Sequence, residues 1–168
     1  ITGAVTGTSN DNLTLVSGSG TTTVGGAVGA GANITTLTLQ ANVSQATGAV
    51  TFNGNVTAVT LTTFAQGHAV VLNEDAAITN DVTFLNTAGV TLGNAADDAL
   101  TFTGGLSTVA GITTAAGTIT TTATNLDIAA LVITDTTTIT TGSATGGNLA
   151  ITGAVTGTSN DNLTLVSG

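Results

Sequence analysis

Lysine, arginine, proline, cysteine, methionine, tryptophan and tyrosine are all absent from this sequence of 168 residues. Because no lysine or arginine balances its nine acidic side chains, the formal net charge is −9 at pH 7. A chain of this charge repels the phosphate backbone of nucleic acids and the anionic head groups of lipids. The composition therefore excludes nucleic acid as a partner.

The absence of cysteine removes disulfide bonds, thiol catalysis and thiolate metal sites together. The absence of basic residues leaves no group to stabilise an acidic sugar or a developing anion, which argues against a polysaccharide-degrading enzyme. No stretch approaches the roughly 18 consecutive apolar residues of a membrane-spanning helix. We therefore expect a chain that is not an enzyme and does not insert into a membrane, with any export signal outside these residues.

What the sequence does contain is a perfect internal repeat. Residues 1–18 and 151–168 both read ITGAVTGTSNDNLTLVSG, with no mismatch. The matched stretch joins its neighbours without a linker or a change in composition, as tandem repeats do. We predict that residues 1–150 form one full repeat of a continuous structure and that residues 151–168 begin the next copy.

Short triplets, in which apolar or β-branched residues flank a threonine or another small residue, recur along the chain, and no stretch has helical period. Glycine and asparagine cluster between the triplets, and both residues enter turns readily. This pattern predicts an all-β fold in which the outer residues of a triplet point to one side and the middle residue to the other. The clearest triplets lie at 13–15, 37–39, 50–52, 59–61, 70–72, 82–84, 90–92, 100–102, 131–133 and 149–151.

The spacing of the triplets discriminates among all-β folds. Counted over every second triplet, from Leu37 to Val59, from Val50 to Val70 and onward as far as Leu100, the spacing stays at about 20 residues, the length of a β-helix rung. This spacing predicts a right-handed parallel β-helix, or β-solenoid, with about seven rungs of about 20 residues per repeat. A β-sandwich, the alternative, commonly uses the tryptophan, tyrosine and proline that are missing here. Between residues 105 and 141 the triplets merge into threonine-rich sequence, and the rung boundaries stay open.

Five segments are typical of the sequence: AVTG at 4–7, NLTL at 12–15, TTVGGAVG at 22–29, AVTFNG at 49–54 and GNLAI at 147–151. Sequence of this kind covers most of the chain. It resembles the β-strand-repeat giant adhesins and filamentous-haemagglutinin-like exoproteins, including autotransporter passengers. The resemblance implies a right-handed parallel β-helix on a bacterial surface. It brings no catalytic residue with it.

Carboxylates near the predicted corners are the candidate metal ligands. Calcium takes six or more oxygen ligands, and paired acids could supply some of them. The glycine-rich nonapeptide that binds calcium between rungs is absent, and solvation of the corners is the alternative role. The candidates are Asp11, Glu74, Asp75, Asp81, Asp97 and Asp98. No other cofactor is expected.

The single histidine, His68, lies near a predicted corner without a serine, cysteine or second histidine that could complete a catalytic pair. We expect it to be structural or exposed to solvent. The four phenylalanines, at 52, 64, 84 and 102, are expected to stack in the core. Tripeptides of the N-glycosylation type begin at Asn12, Asn33, Asn42 and Asn55, and they arise freely in a chain this rich in asparagine and threonine.

Threonine runs occupy residues 118–122 and 134–138. Flat threonine ranks on a β-helix can order water and bind ice, provided that the same face repeats at every rung. These runs are confined to one part of the chain, and the high β-propensity of threonine explains them equally well.

Two main functions are compatible with the sequence. In the first, the chain is a structural repeat of a long extracellular fibre or stalk on a bacterial surface, whose partners are further copies of the same repeat, covalently continuous and bundled laterally or stacked end to end. In the second, it is a region of an adhesin that contacts a host, a surface or a glycan. We prefer the first, because ligand contact normally draws on exposed aromatic residues and arginine. Ice binding is the minor alternative.

Overall fold

The computed structural model of the chain describes residues 1–40, 46–142 and 145–168. Within these residues the chain forms strands and turns but no helix, as the alternation of β-branched and small residues predicts. The strands are β1 (Asn12–Leu15), β2 (Thr22–Val24), β3 (Ile34–Leu39), β4 (Ala49–Phe52), β5 (Val56–Thr62), β6 (Ala69–Leu72), β7 (Ala76–Ile78), β8 (Val82–Phe84), β9 (Val90–Leu92), β10 (Ala99–Phe102), β11 (Leu106–Thr108), β12 (Thr113–Thr121), β13 (Leu126–Ile128), β14 (Leu131–Thr140), β15 (Leu149–Ile151), β16 (Val155–Gly157) and β17 (Leu163–Val166).

All pairings between these strands are parallel, and each strand pairs with strands roughly one coil before and after it in the chain. The coils therefore stack along one axis and enclose a continuous hydrophobic core. This arrangement confirms the prediction of an all-β parallel β-solenoid and is incompatible with the sandwich alternative, whose sheets are antiparallel.

Each coil has three faces, which we number by the inward or aligned residues that stack on them. Face 1 carries Val5, Val28, Val56, Ala76, Leu100, Ile119, Ile139 and Leu165. Face 2 carries Leu13, Leu37 and Leu61, and then Val82, Leu106, Leu126 and Leu149. Face 3 carries Thr22, Val50, Val70, Val90, Thr113, Leu131 and Val155. The long strands β5, β12 and β14 each turn a corner and belong to two faces.

Coil length varies around the predicted spacing. On face 3, Val50 pairs with Val70 and Val70 pairs with Val90, so these two coils have equal length and match the prediction. The coil from Thr113 to Leu131 is shorter, and the coil from Thr22 to Val50 is the longest on this face. Six steps along face 1 lead from Val5 to Ile139, so the chain makes about six turns between them.

Three of the predicted links between triplets are corrected by the third face. The link from Val59 to Val82 fails because Val59 lies at a corner, where its carbonyl oxygen accepts the backbone N–H of Asn80. The spacing linked Val82 to Leu100, but Val82 pairs with Leu106 on face 2, whereas Leu100 pairs with Ala76 on face 1. Likewise Leu37 pairs with Leu61 rather than with Val59. Val59 is half-buried at the corner inside β5, where the alternation of inward and outward residues breaks.

The two identical segments, 1–18 and 151–168, lie on different faces. In the first, Val5 bridges to Val28 on face 1 and Leu13 pairs with Leu37 on face 2. In the second, Val155 pairs with Leu131 on face 3, and Leu163 pairs with Thr137 beside face 1. An advance by one repeat of the sequence therefore corresponds to six turns and two further faces, rather than to a whole number of turns.

Phenylalanine fills the core at three of the four predicted positions. Phe52, Phe84 and Phe102 are each 0% exposed, and the rings of Phe84 and Phe102 meet edge to face at 6.3 Å between centroids. Burying such a side chain is worth about 1.5 to 3 kcal/mol. The prediction for Phe64 was wrong: its side chain is half-buried, because it follows the inward Thr63 and points away from the core.

Residues 105–141, whose rung boundaries the sequence left open, form strands β11 to β14 and bury several threonines in place of aliphatic residues. The buried hydroxyls have hydrogen-bond partners, so the polar atoms are compensated. Thr113 donates to Thr108 at 3.0 Å, and Thr121 donates to the carbonyl oxygen of Thr124 at 2.7 Å. Thr137 donates to the carbonyl oxygen of Asp135 at 2.9 Å.

Glycine allows the coils to approach closely at their corners. Gly29 has a φ of 77°, in the left-handed region that other residues rarely adopt. A Cβ atom on Gly29 would lie 2.1 Å from the carbonyl oxygen of Thr57 on the next coil. A side chain at this position would therefore force the two coils apart.

Candidate functional site

Two of the candidate metal ligands cap turns of their own chain segment. The carboxylate of Asp11 accepts hydrogen bonds from the backbone N–H and the hydroxyl of Thr8, and the backbone bond is the main reason that the pKa of Asp11 lies below its ordinary value. The carboxylate of Asp98 accepts from the backbone N–H groups of Asn94 at 2.7 Å and Ala95 at 2.9 Å. Both acids therefore stabilise corners, a role that needs no metal.

Asp75 joins three successive coils. Its Oδ1 accepts the backbone N–H of Ala99 on the following coil at 2.8 Å, and its Oδ2 accepts the side-chain amide of Asn55 on the preceding coil at 3.4 Å. A second polar contact of this type connects the side chains of Asn73 and Asn53 at 2.8 Å. The corner between face 3 and face 1 is thus held by polar side chains that bridge along the axis.

The remaining candidates, Glu74, Asp81 and Asp97, are exposed. The structure brings Glu74 next to Asp75 and Asp97 next to Asp98 at the corner between faces 3 and 1, and it places Asp81 at the corner between faces 1 and 2. Across the described ranges, no three histidine, cysteine, aspartate or glutamate side chains come together in a group that could hold a metal ion.

His68 is fully buried. Of the two roles expected from the sequence, structural or exposed to solvent, its position fits the structural one. The side-chain amide of Asn86 donates to the carbonyl oxygens of His68 and Gly89, at 3.2 and 2.7 Å. Neither ring nitrogen of His68 finds a hydrogen-bond partner among the described residues. Burial lowers the pKa of His68 below its ordinary value of 6.5, because the interior disfavours the charged ring.

Two buried polar residues, whose side chains bond the backbone of a neighbouring coil, were not predicted from the sequence. On face 2 the side chain of Thr63 bonds the backbone of the next coil, in place of a backbone–backbone hydrogen bond. Its hydroxyl accepts the backbone N–H of Leu85 at 2.8 Å and donates to the carbonyl oxygen of Thr83 at 3.4 Å. Gln40 is 0% exposed, and its Oε1 accepts the backbone N–H groups of Ser17 and Gly18. Nothing in the local sequence distinguishes these residues from the exposed threonines and amides.

The threonine runs at 118–122 and 134–138 lie largely on strands β12 and β14. Thr118 pairs with Thr138 and Thr120 with Thr140, so outward threonines align over these two coils of face 1. The glycosylation-type Asn12, Asn33 and Asn55 are exposed. Asn42 lies outside the described residues.

Face 3 carries the longest uniform outward row of the described residues. One outward residue from each of seven consecutive coils stands in register, and every one is threonine or valine, with no charge among them. The row consists of Thr23, Thr51, Val71, Thr91, Thr114, Val132 and Thr156. With strands about 4.8 Å apart, it extends for about 29 Å.

The described surface contains no enclosed pocket. In the part of the chain that the structure describes, no helix is long and apolar enough to cross a membrane. Comparison with family models, with curated proteins and with solved structures finds no match to this chain. Its functional surfaces therefore have to be identified from its own geometry and charge.

Proposed function

We propose that this chain is a structural repeat of a long extracellular fibre or stalk on a bacterial surface, that its role is cohesion, reach and resistance to proteolysis, and that it is not an enzyme. The observation that carries the proposal is the junction between the two copies of the repeated sequence. Val155 and Leu165, from the second copy, continue the ladders of Leu131 and Ile139 without interruption. A repeat that stacks directly on its predecessor suits a uniform filament.

The mechanics of a solenoid support the same role. Opening an internal coil breaks backbone ladders on both of its sides, so the body resists pulling and proteolysis except at its ends. The partners that we propose are further copies of the same repeat, joined in the chain or stacked end to end.

In such an array each copy is turned relative to the one before it. Because one repeat corresponds to six turns and two faces, a surface on face 3 of one copy recurs on face 2 of the next and on face 1 of the third. Three copies restore the starting orientation after 20 turns, or about 96 Å of fibre. Any surface of the repeat is then presented in three directions.

End-to-end stacking provides the test. We expect the whole chain to form filaments whose length, measured by electron microscopy and sedimentation, increases with protein concentration. Leu165→Lys places a charge in the open end of the core and should shorten the filaments. Thr164→Lys adds the same charge on the outer side of the same strand, and it should leave the length unchanged. A wild-type chain that stays monomeric over this concentration range would contradict the proposal.

An adhesin region that contacts a host, a surface or a glycan is the second candidate function. The observation that favours it is the half-buried ring of Phe64, which points away from the core, since an outward aromatic ring suits a glycan or protein contact. Binding of the chain to immobilised glycans or host proteins, lost in Phe64→Ala, would support this candidate. Ice binding is the third, and the uniform outward row of face 3 gives it a surface of the required regularity.

A further inference from the structure

The acidic residues are unevenly distributed around the solenoid. Three of them, Asp11, Asp81 and Asp127, lie on face 2 or immediately before it. The other six lie in the corner between face 3 and face 1, at Glu74, Asp75, Asp97, Asp98, Asp135 and Asp161. The described residues of face 3, and of the corner that leads from face 2 into it, contain no acid. A chain with a formal charge of −9 therefore has a side without charged groups.

The same side carries exposed apolar side chains. Leu85 and Val109, together with the half-buried Phe64, form a ridge, because each directly follows the last inward residue of face 2 on one of three successive coils. Val16 has the same place on the first coil, and the buried Gln40 has it on the coil between Val16 and Phe64. Val16 is 49% exposed, Val109 51% and Leu85 38%, and the neighbouring Ile112 is 54% exposed. Exposed apolar groups gathered on one side of a solenoid mark an interaction surface.

We propose that the outward row of face 3 and this ridge, together the neutral side, form the lateral contact between solenoids of this same chain. The inference builds on the proposed fibre and names the surface by which fibres bundle. Two such chains repel each other wherever their acidic sides meet, because neither has a lysine or arginine to offer. The neutral side itself contains no carboxylate, and the exposed side chains of Val16, Leu85 and Val109 lie on it.

The spacing of the row also selects a second copy as the occupant. A rigid row that repeats about every 4.8 Å matches, over seven coils, a partner with the same repeat. Another solenoid of this chain has that repeat by construction. The residues of the row are β-branched and therefore lose little side-chain freedom when covered. Two such faces packed together would lie about 10 Å apart, as stacked sheets do.

The repeat geometry gives this contact a direction. In a fibre of tandem copies, the neutral side moves from face 3 to face 2 and then to face 1 in successive copies. Each fibre would therefore contact neighbours in three directions. We expect bundles with a compact cross-section rather than flat ribbons.

The experiment compares filament width, which reports lateral contact, with filament length, which reports end-to-end stacking. We expect wild-type chains to form bundles with a packing reflection at about 10 Å in fibre diffraction. Leu85→Glu/Thr91→Glu places charges on the neutral side and should reduce the filaments to single-fibre width without changing their length. Thr57→Glu/Thr120→Glu adds the same charge on face 1 and should leave bundling intact. Urea unfolding of all three proteins checks that each is folded.

Several outcomes would overturn the proposal. Single-fibre width in the wild type would do so, as would bundling that survives Leu85→Glu/Thr91→Glu or that is lost equally in the face 1 control. Inhibition of ice-crystal growth or binding to immobilised glycans, removed by Leu85→Glu/Thr91→Glu while bundle width is unchanged, would assign the neutral side to that ligand instead. A wild-type chain that forms no filaments would contradict the proposed fibre. Filaments of single-fibre width would contradict only the lateral contact, so the two failures can be told apart.

Discussion

Gly153 lies so close to Ala129 on the preceding coil that a Cβ atom on the glycine would stand 2.2 Å from the carbonyl oxygen of Ala129. Gly3 occupies the same place in the identical segment at the start of the chain, and a Cβ there meets no atom within 4 Å. One sequence position thus has two environments, because a coil precedes the second segment on that side and none of the described residues precedes the first.

This difference predicts unequal costs for one substitution. Gly153→Ala should lower the free energy of unfolding by about 1 to 3 kcal/mol, the usual range for overpacking a tight site. Gly3→Ala should change it by less than about 0.5 kcal/mol. Chemical unfolding of the two single variants measures both values. Equal effects would show that the second segment does not stack on Ala129 as described.

The placement of the two segments on different faces can be tested by cross-linking, since the chain has no cysteine of its own. Thr138 pairs with Thr164, and adjacent strands lie within the Cα separation of about 4.4 to 6.8 Å that a disulfide requires. Thr138→Cys/Thr164→Cys should therefore oxidise readily to an intramolecular bond. The reference pair Thr14→Cys/Thr38→Cys, in the first segment, should do the same.

A whole-turn repeat would give a different result. Thr164 would then take the place on face 2 that Thr14 occupies in the first segment, beside Ala150. Efficient cross-linking of Ala150→Cys/Thr164→Cys, together with none between positions 138 and 164, would refute the offset of two faces. Non-reducing electrophoresis of dilute protein distinguishes the two arrangements and keeps intermolecular bonds out of the result.

The buried His68 predicts a pH dependence of stability. Its folded pKa lies below 6.5, so as the pH falls through 6.5 the unfolded chain takes up a proton that the folded chain does not. Stability should be fully present above about pH 6.5 and should fall below it, by at most about 1.4 kcal/mol per pH unit, until the lowered folded pKa is reached. Urea midpoints between pH 8 and pH 5 measure this slope.

His68 is the only histidine, so a single variant isolates its contribution. In His68→Leu the slope between pH 6.5 and pH 5 should disappear, even if the variant differs from wild type in stability at pH 8. The carboxyls of Asp11 and Asp161, whose pKa values are lowered from 3.8, titrate below this window. A slope that persists in His68→Leu would assign the effect to other groups.

The axial bridge made by Asp75 predicts a contrast with its neighbour. Asp75→Ala removes the acceptor for the backbone N–H of Ala99 and should lower the free energy of unfolding by about 0.5 to 1.5 kcal/mol. Glu74→Ala removes the same charge from an exposed neighbouring position and should stay within about 0.5 kcal/mol of wild type. If the two variants were equally stable, the bridge would contribute nothing in solution.

The sequence predicted the strands better than their pairing. The triplets at 50–52, 70–72, 82–84 and 100–102 all form strands with the middle residue outward, because alternation is a local property of the pleated backbone. The link from Val82 to Leu100 failed, because a coil with three faces and corners of unequal length cannot be recovered from triplet spacing alone. The inward threonines of β12 and β14 hid the coils between residues 105 and 141 for a related reason: their burial depends on partners such as Thr108, which only the fold supplies.

The candidate surfaces divide in the same way. Charge composition identified a chain that repels anions, and the acids that it named as metal candidates all lie at or beside corners. The absence of acids from the described residues of face 3, and of the corner between faces 2 and 3, depends on how the coils close, so no local sequence pattern could indicate it. Phe64 illustrates this limit: it follows the same kind of alternating segment as Phe84, but the inward position on its coil belongs to Thr63.

The repeated segment separates what its sequence determines from what the tertiary structure decides. In both copies the same local turn forms, with Asp11 accepting from Thr8 and Asp161 accepting from Thr158, because donor and acceptor lie close together in the chain. The face on which each copy lies is not encoded in that segment. That face is set by the summed lengths of the coils between the two copies. These lengths add up to six full turns and two further faces, so the second copy lies on different faces from the first.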